Sequence, residues 1–373
     1  MSYEKLFESG LNLESVKAWR AQGKKALGVI CCHIPLEILE ALDILPVRMR
    51  ATGCTESPDA DSWMSTISCS YARGLLQYWL KGTYELDGIV TSDGCMMAAR
   101  AFDNAEYNSQ GKPMYFREVG APRVIKGEMS YEYYKNEVRD LIKGLEEFTG
   151  KKLTDENLKK AIAKHNECRG LVRQVYELRK AEQPVISGTD CLSLTLAACD
   201  YPVDEYIAML KEFLADAKNR APITDARARL MVIGSALDNP GYLKIIEDKG
   251  GLVVHDSLCY GYRPFAEDVV VDDNDVLGSL IAYYLNRILC PRMLDNRVRL
   301  QEMIVDTCKA YDVQGVVYEK MQYCECWGGE SLYLEPMLKE CDIPLLQLER
   351  EEHLANAGQL AIRAEAFVEM IEK

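Results

Sequence analysis

Histidine is nearly missing from this chain: His33, His165, His255 and His353 are the whole supply in 373 residues. A site built mainly on imidazole is therefore not expected. There is also no excess of positive charge. The 44 Lys and Arg residues face 58 Asp and Glu, for a net charge of −14, and phosphate backbones need clustered cations, so no nucleic-acid partner is expected. No apolar run reaches the ~18 residues that suggest a membrane span. No Cys-x-x-Cys pair of the zinc-ribbon or thioredoxin kind occurs either. The opening stretch MSYEKLFESGLNLESVKAWRAQGKK mixes charges along an amphipathic pattern and fits neither a signal peptide nor a transit peptide. A soluble, cytoplasmic protein is expected.

What is present in excess is cysteine, at fourteen residues. In a reducing cytoplasm structural disulfides are rare, which moves the expectation toward metal or catalytic use. Many cysteines with few histidines favour thiolate ligation of iron–sulfur clusters over a mixed zinc site. The stretch MQYCECWGGE (321–330) is the densest example: Cys324 and Cys326 flank Glu325 and run into Trp327 and a Gly-Gly pair.

Short Val- and Ile-rich runs bounded by turn residues read as buried parallel strands: 26–32, 45–50, 86–91, 229–234, 250–256 and 313–319. Helical patterns between them, as at 35–43 and 239–250, indicate an α/β fold. The expectation is two Rossmann-like (flavodoxin-like) parallel-sheet domains, 1–127 and 226–373. A charged, helix-periodic insert at 128–225 joins them, with Thr154 and Asp155 as caps within it. The halves resemble each other internally. VICC, helix, PVRM and Cys54 match MVIG, helix, LVVHD and Cys259; DGIV then Cys95 matches QGVV then Cys324; Cys69 and Cys290 lie between. In open parallel sheets, ligands bind beyond the carboxyl ends of the strands. These six cysteines are the candidate ligands. Cys31, Cys32, Cys168, Cys191, Cys199, Cys308 and Cys341 read as packing residues, and Cys326 as a bystander.

The stretches VICCHIPLEILEALDILPVRM, ISCSYARGLLQYWLKG, LDGIVTSDGC, QYCECWGGE, DIPLLQLERE and IRAEAFVEMIEK resemble, in that order, the 2-hydroxyacyl-CoA dehydratase and benzoyl-CoA reductase family. Dehydratase subunits of that family hold one 4Fe–4S cluster with three cysteines, matched here by Cys69, Cys95 and Cys324. Cysteines at 54, 259 and 290 look like the branch that binds a double-cubane cluster through six. The resemblance implies a low-potential reductase fed by a separate ATP-hydrolysing activator that carries its own 4Fe–4S cluster, acting as a homodimer or as a heterodimer with a homologous subunit. The alternatives are a subunit of a 2-hydroxyacyl-CoA dehydratase, removing water by radical chemistry, or a cluster-bearing subunit of a benzoyl-CoA reductase-like complex. One departure is Cys95-Met96, where the family more usually has Cys-Asp.

Candidate proton donors beside the cleft are Glu37, His33 and Glu325, with Glu330. Arg263 is a candidate for an anionic group, against a structural ion pair. The Gly328-Gly329 pair is expected to let the backbone pass close to the cluster.

Overall fold

A computed structural model describes residues 2–287, 290–352, 354 and 356–372. Two four-stranded sheets form, both wholly parallel. The first contains β1 (Lys25–Val29), β2 (Ile44–Arg48), β3 (Gly88–Ser92) and β4 (Tyr115–Val119), ordered β2-β1-β3-β4. The second contains β5 (Ala228–Gly234), β6 (Gly251–Ser257), β7 (Gly315–Met321) and β8 (Leu345–Arg350), ordered β6-β5-β7-β8. The two orders are the same when each sheet is read from its first strand, as the internal similarity of the halves led us to expect. Helices surround both sheets, so the fold is two-domain α/β with flavodoxin-like strand order.

β4 and β8 are absent from the expected strands. Each is an edge strand in which outward polar residues interrupt the apolar run: YFREV is mostly half-buried, and LLQLER alternates buried with more exposed positions. An edge strand needs no continuous hydrophobic sequence, because one side of it faces solvent.

Long helices at Glu128–Thr149, Asp155–Glu177 and Val203–Asp216 lie between the sheets in sequence. Thr154 caps the second, accepting from the Asn157 N–H at 3.2 Å. These helices are integrated into the core. Tyr134, Val138, Leu141 and Leu145 pack with Leu27 and Val29 of β1 and Val90 of β3. The helix Gly188–Ala197 lies so close to β6 that a Cβ on Gly188 would come within 2.5 Å of the Val253 side chain. One apolar cluster crosses between the halves, joining Cys54, Cys69 and Tyr71 to Leu237, Tyr260 and Val317.

Gly88 opens β3 with φ +145°, and a Cβ there would meet the Tyr115 carbonyl oxygen at 1.8 Å, at the position where the two residues are in register. Gly88→Ala is expected to cost ~1–3 kcal/mol from backbone strain alone, read as a lowered denaturation midpoint. Gly10→Ala, which meets open space, is the neutral control.

Candidate functional site

Parallel strands bring loops of both halves to one edge. Cys95 lies three residues beyond β3 and Cys324 three beyond β7. Cys69 precedes the helix Ser70–Leu80, Cys95 the helix Met96–Tyr107 and Cys324 the short turn Glu325–Gly328, so all three occupy N-cap positions with extended backbone. None closes a capping hydrogen bond of normal geometry. Even so, the first-turn N–H groups of Ala72, of Met97 and Ala98, and of Trp327 face the three sulfurs closely enough to favour the thiolate, as expected where helix N–H groups lack partners. Ser235 at the end of β5 adds a hydroxyl toward Cys324 and accepts the Met321 N–H at 2.9 Å.

The three thiols lie within electrostatic reach of one another: Cys69 responds to Cys95 and Cys324, and Cys324 to Cys95. Burial is the main influence raising Cys69 and Cys324. Cys95 is lowered, first by a hydrogen bond with the Cys326 thiol and then by its N–H neighbours. Cys326, expected as a bystander, lies beside Cys95, and its sulfur also points to the Gly94 carbonyl at 3.5 Å. The Met96 N–H donates to Glu325 at 2.6 Å, fastening one half to the other directly over the cysteines.

A second group adjoins the first. Cys259, Cys290 and Cys32 are within reach of one another, with Arg263 beside all three and Arg48 beside Cys259 and Cys32. Cys326 feels Cys290 and so joins the groups. Cys31 and Cys32 hydrogen-bond side chain to side chain, and Cys31 has φ +77°. Packing had been expected for both; Cys32 lies beside Cys259 and Cys290. Cys54 stands apart: its thiol lies 3.4 Å from the Glu56 carbonyl, toward the carboxyls of Glu352 and Asp238. Of the other packing candidates, Cys168, Cys191, Cys199 and Cys308 are buried, whereas Cys341 is exposed. Among the described residues no three or more Cys, His, Asp or Glu side chains are arranged to hold one metal ion.

The glycine that matters is not in the Gly-Gly pair. Gly328 and Gly329 have room for a side chain and no positive φ. Gly94 is confined: a Cβ would come within 2.9 Å of Cys31 Sγ and 3.1 Å of Ser92 Oγ.

The candidate acids have separate environments. Glu37 is fully buried and bound by Arg169 and by the Tyr284 hydroxyl at 2.7 Å. Burial alone would raise it, but Arg169 and His165 outweigh that and hold it at about 2, so it carries no proton to donate near neutrality. His33 is buried and lowered to about 4, chiefly by burial, so its imidazole is neutral. Glu325 is exposed and occupied by the Met96 N–H. Glu330 is buried, and that burial raises it, with Arg297 3.8 Å away. Arg263 packs beside Cys290 and over the Trp327 ring, 5.6 Å from its centroid.

Glu37 yields a signed pH dependence. A carboxylate lowered on folding stabilises the protein above its ordinary value of 4.5, and that contribution is lost as pH falls toward 2. Denaturation series should therefore show the wild-type margin over Glu37→Gln constant above pH 4.5 and shrinking below it.

A family described as 2-hydroxyglutaryl-CoA dehydratase, D-component, matches residues 31–371. The chain belongs to this family. It is 23% identical over 376 aligned positions to one of the benzoyl-CoA reductase subunits of Thauera aromatica, covering 99% of this chain and 97% of the relative. It is 25% identical to the beta subunit of (R)-2-hydroxyglutaryl-CoA dehydratase of Acidaminococcus fermentans, covering 95% and 94%. With the (R)-phenyllactyl-CoA dehydratase beta subunit of Clostridium sporogenes the identity is 23%, over 95% and 94%. The relatives are thus subunits of both reductases and dehydratases. No helix among the described residues is long and apolar enough to cross a membrane.

Sequence reasoning about this family member missed a buried charge cluster below the cysteines. Arg350 at the end of β8 is bound by Glu319 of β7 and by Glu352 at 3.3 Å, and Glu352 hydrogen-bonds Asp238. All four are almost fully buried. Burial raises Glu319 to about 7 despite Arg350. The Leu-Glu-Arg-Glu stretch at the end of β8 carried the signal, since charged residues at a strand's carboxyl end face the cleft.

Proposed function

We propose that this family member is an iron–sulfur subunit that receives low-potential electrons from a separate ATP-hydrolysing activator and acts on a small-molecule or acyl-CoA substrate, with Cys69, Cys95 and Cys324 holding a 4Fe–4S cubane. The observation that carries the proposal is the meeting of three N-cap thiols from both halves, each facing backbone N–H donors. A cubane spreads its thiolates over different irons, so its ligands need not share a single-ion geometry. Gly94, which has no space for a Cβ, keeps the floor of the site open. A cluster bound there would supply one-electron transfer at low potential.

The remaining roles fall to the chain's own groups. N–H donors and the Ser235 hydroxyl stabilise negative sulfur, which is how a protein tunes such a group. The Glu325 bridge to Met96 keeps the two cysteine-bearing loops in register. Burial raises Glu330 whereas Glu37 and His33 are lowered, and we assign Glu330 the donor role ahead of them. The active assembly is taken to be a dimer, with itself or with a homologous subunit, in a reducing cytoplasm.

The second reading is the double-cubane reductase with Cys54, Cys259 and Cys290 as further ligands. It is favoured by the proximity of Cys259 to Cys290 and by Cys326 reaching both groups. Cys54 faces carboxyls rather than this group, and Cys32 lies nearer the position it was expected to fill. Iron and sulfide counting on anaerobically purified protein separates the readings: about four irons for one 4Fe unit, about eight for two. Absence of iron under those conditions contradicts both. A reductase then consumes electrons in step with product, whereas a dehydratase recycles one electron over many turnovers.

A further inference from the structure

A cavity of about 330 Å³ that reaches cysteines lies between β2, the helix Asp155–Glu177 and the segment after β6. Its lining includes Lys24 and Lys164, the apolar Ile34, Leu45 and Phe265, and Arg48, Cys32 and Cys259. Most cations along it already have carboxylate partners. Lys24 pairs with Asp43, Lys164 with Glu40 and Asp204, His165 with Glu40, and Arg169 with Glu37. Arg287 has no such pair but gives its N–H groups to the Pro264 and Cys32 carbonyls and the Tyr283 hydroxyl.

Arg48 differs. Among the described residues it forms no ion pair and its guanidinium has no carbonyl acceptor; it lies over the Tyr260 ring, 4.7 Å from the centroid, with Nε buried and unbonded. The nearby Tyr260 hydroxyl is already committed to the Met49 carbonyl at 2.6 Å and to the Tyr71 hydroxyl at 2.5 Å. This half-buried guanidinium has ring and sulfur neighbours but, among the described residues, no carboxylate, and its planar fork matches a carboxylate in bidentate fashion.

We propose that this cavity binds a small monocarboxylate with a short apolar chain, its carboxylate against Arg48 and its chain along Ile34, Leu45 and Phe265. One uncommitted guanidinium suits one negative charge. A volume near the lower end of ligand pockets, roughly 300 Å³, suits a small molecule. The groups it uses lie outside Cys69, Cys95 and Cys324, and the test below is run on the chain without added iron.

The test is calorimetry on the full-length chain with isovalerate and with isovaleramide, a neutral molecule of the same shape. Isovalerate should saturate one site per chain and bind at least tenfold more tightly than the amide. Arg48→Gln should weaken isovalerate by about tenfold or more, and Ala198→Phe, which fills the cavity wall without touching charge, should do likewise. Equal binding of acid and amide, no saturable binding, or unchanged affinity in either variant would overturn the proposal. If Arg48 serves only as counter-charge to a thiolate at Cys32 or Cys259, Arg48→Gln will slow alkylation of those thiols and leave isovalerate binding unchanged, which also overturns it.

Discussion

Cys95→Ser is expected to reduce the iron bound per chain from about four to below one, whereas Cys54→Ser leaves it unchanged if a single cubane is bound. The contrast follows from placement. Cys95 joins the two halves of the site: Cys69 and Cys324 both respond to it, Cys326 hydrogen-bonds it, and two first-turn N–H groups face it. An alcohol is a poor ligand for iron in a sulfide-rich cluster, so losing this thiol removes one of three anchors. Cys54 has a backbone carbonyl and two carboxyls around it. Cys326→Ala should keep the iron but change the spectrum, because it removes the hydrogen bond that lowers Cys95. Elemental analysis with electron paramagnetic resonance on anaerobic samples reads all three variants.

Arg350→Met should be the most damaging substitution outside the cysteines, lowering stability by ~3–5 kcal/mol, the range for removing one partner of a buried ion pair. The cost arises from what remains. Glu319, Glu352 and Asp238 stay buried together, and Glu319 Oε1 already has no hydrogen-bond partner. Arg350 also donates to the Ala236 carbonyl, so that acceptor loses its donor as well. Adding Glu319→Gln to Arg350→Met should recover part of the loss, since it removes one carboxylate from the uncompensated set. Urea denaturation of the two variants against wild type measures both effects.

Much of this architecture could be read from local chemistry, and the failures share a cause. The six Val- and Ile-rich strands, the Thr154 cap and the repeated strand order needed only apolar runs and turn residues. β4 and β8 escaped because an edge strand tolerates polar residues such as Arg117, Glu118, Gln347 and Glu349. Cysteines at strand ends were legible because parallel topology dictates where those ends gather. Cys326 and Cys32 were not. Their neighbours are Cys95, more than two hundred residues away from Cys326, and Cys259, equally distant from Cys32. Sequence spacing around each residue carries nothing about such contacts. The same holds for glycine: Gly328 and Gly329 looked poised for close approach, yet Gly94 is the one without space, because the Cys31 thiol arrives from the bend after β1. Glu37 looked like an acid near the cleft until Arg169, from a helix more than a hundred residues later, proved to hold its charge.

The central claim is that three N-cap cysteines from the two halves cradle one cubane. Mössbauer spectroscopy on the anaerobically reconstituted chain, compared between wild type and Cys69→Ser, tests it most directly. Wild type should give the quadrupole signature of a 4Fe–4S cluster with one iron distinct from the other three, and the variant should lack it. A spectrum of isolated mononuclear iron, or a cubane that survives Cys69→Ser unchanged, would contradict it.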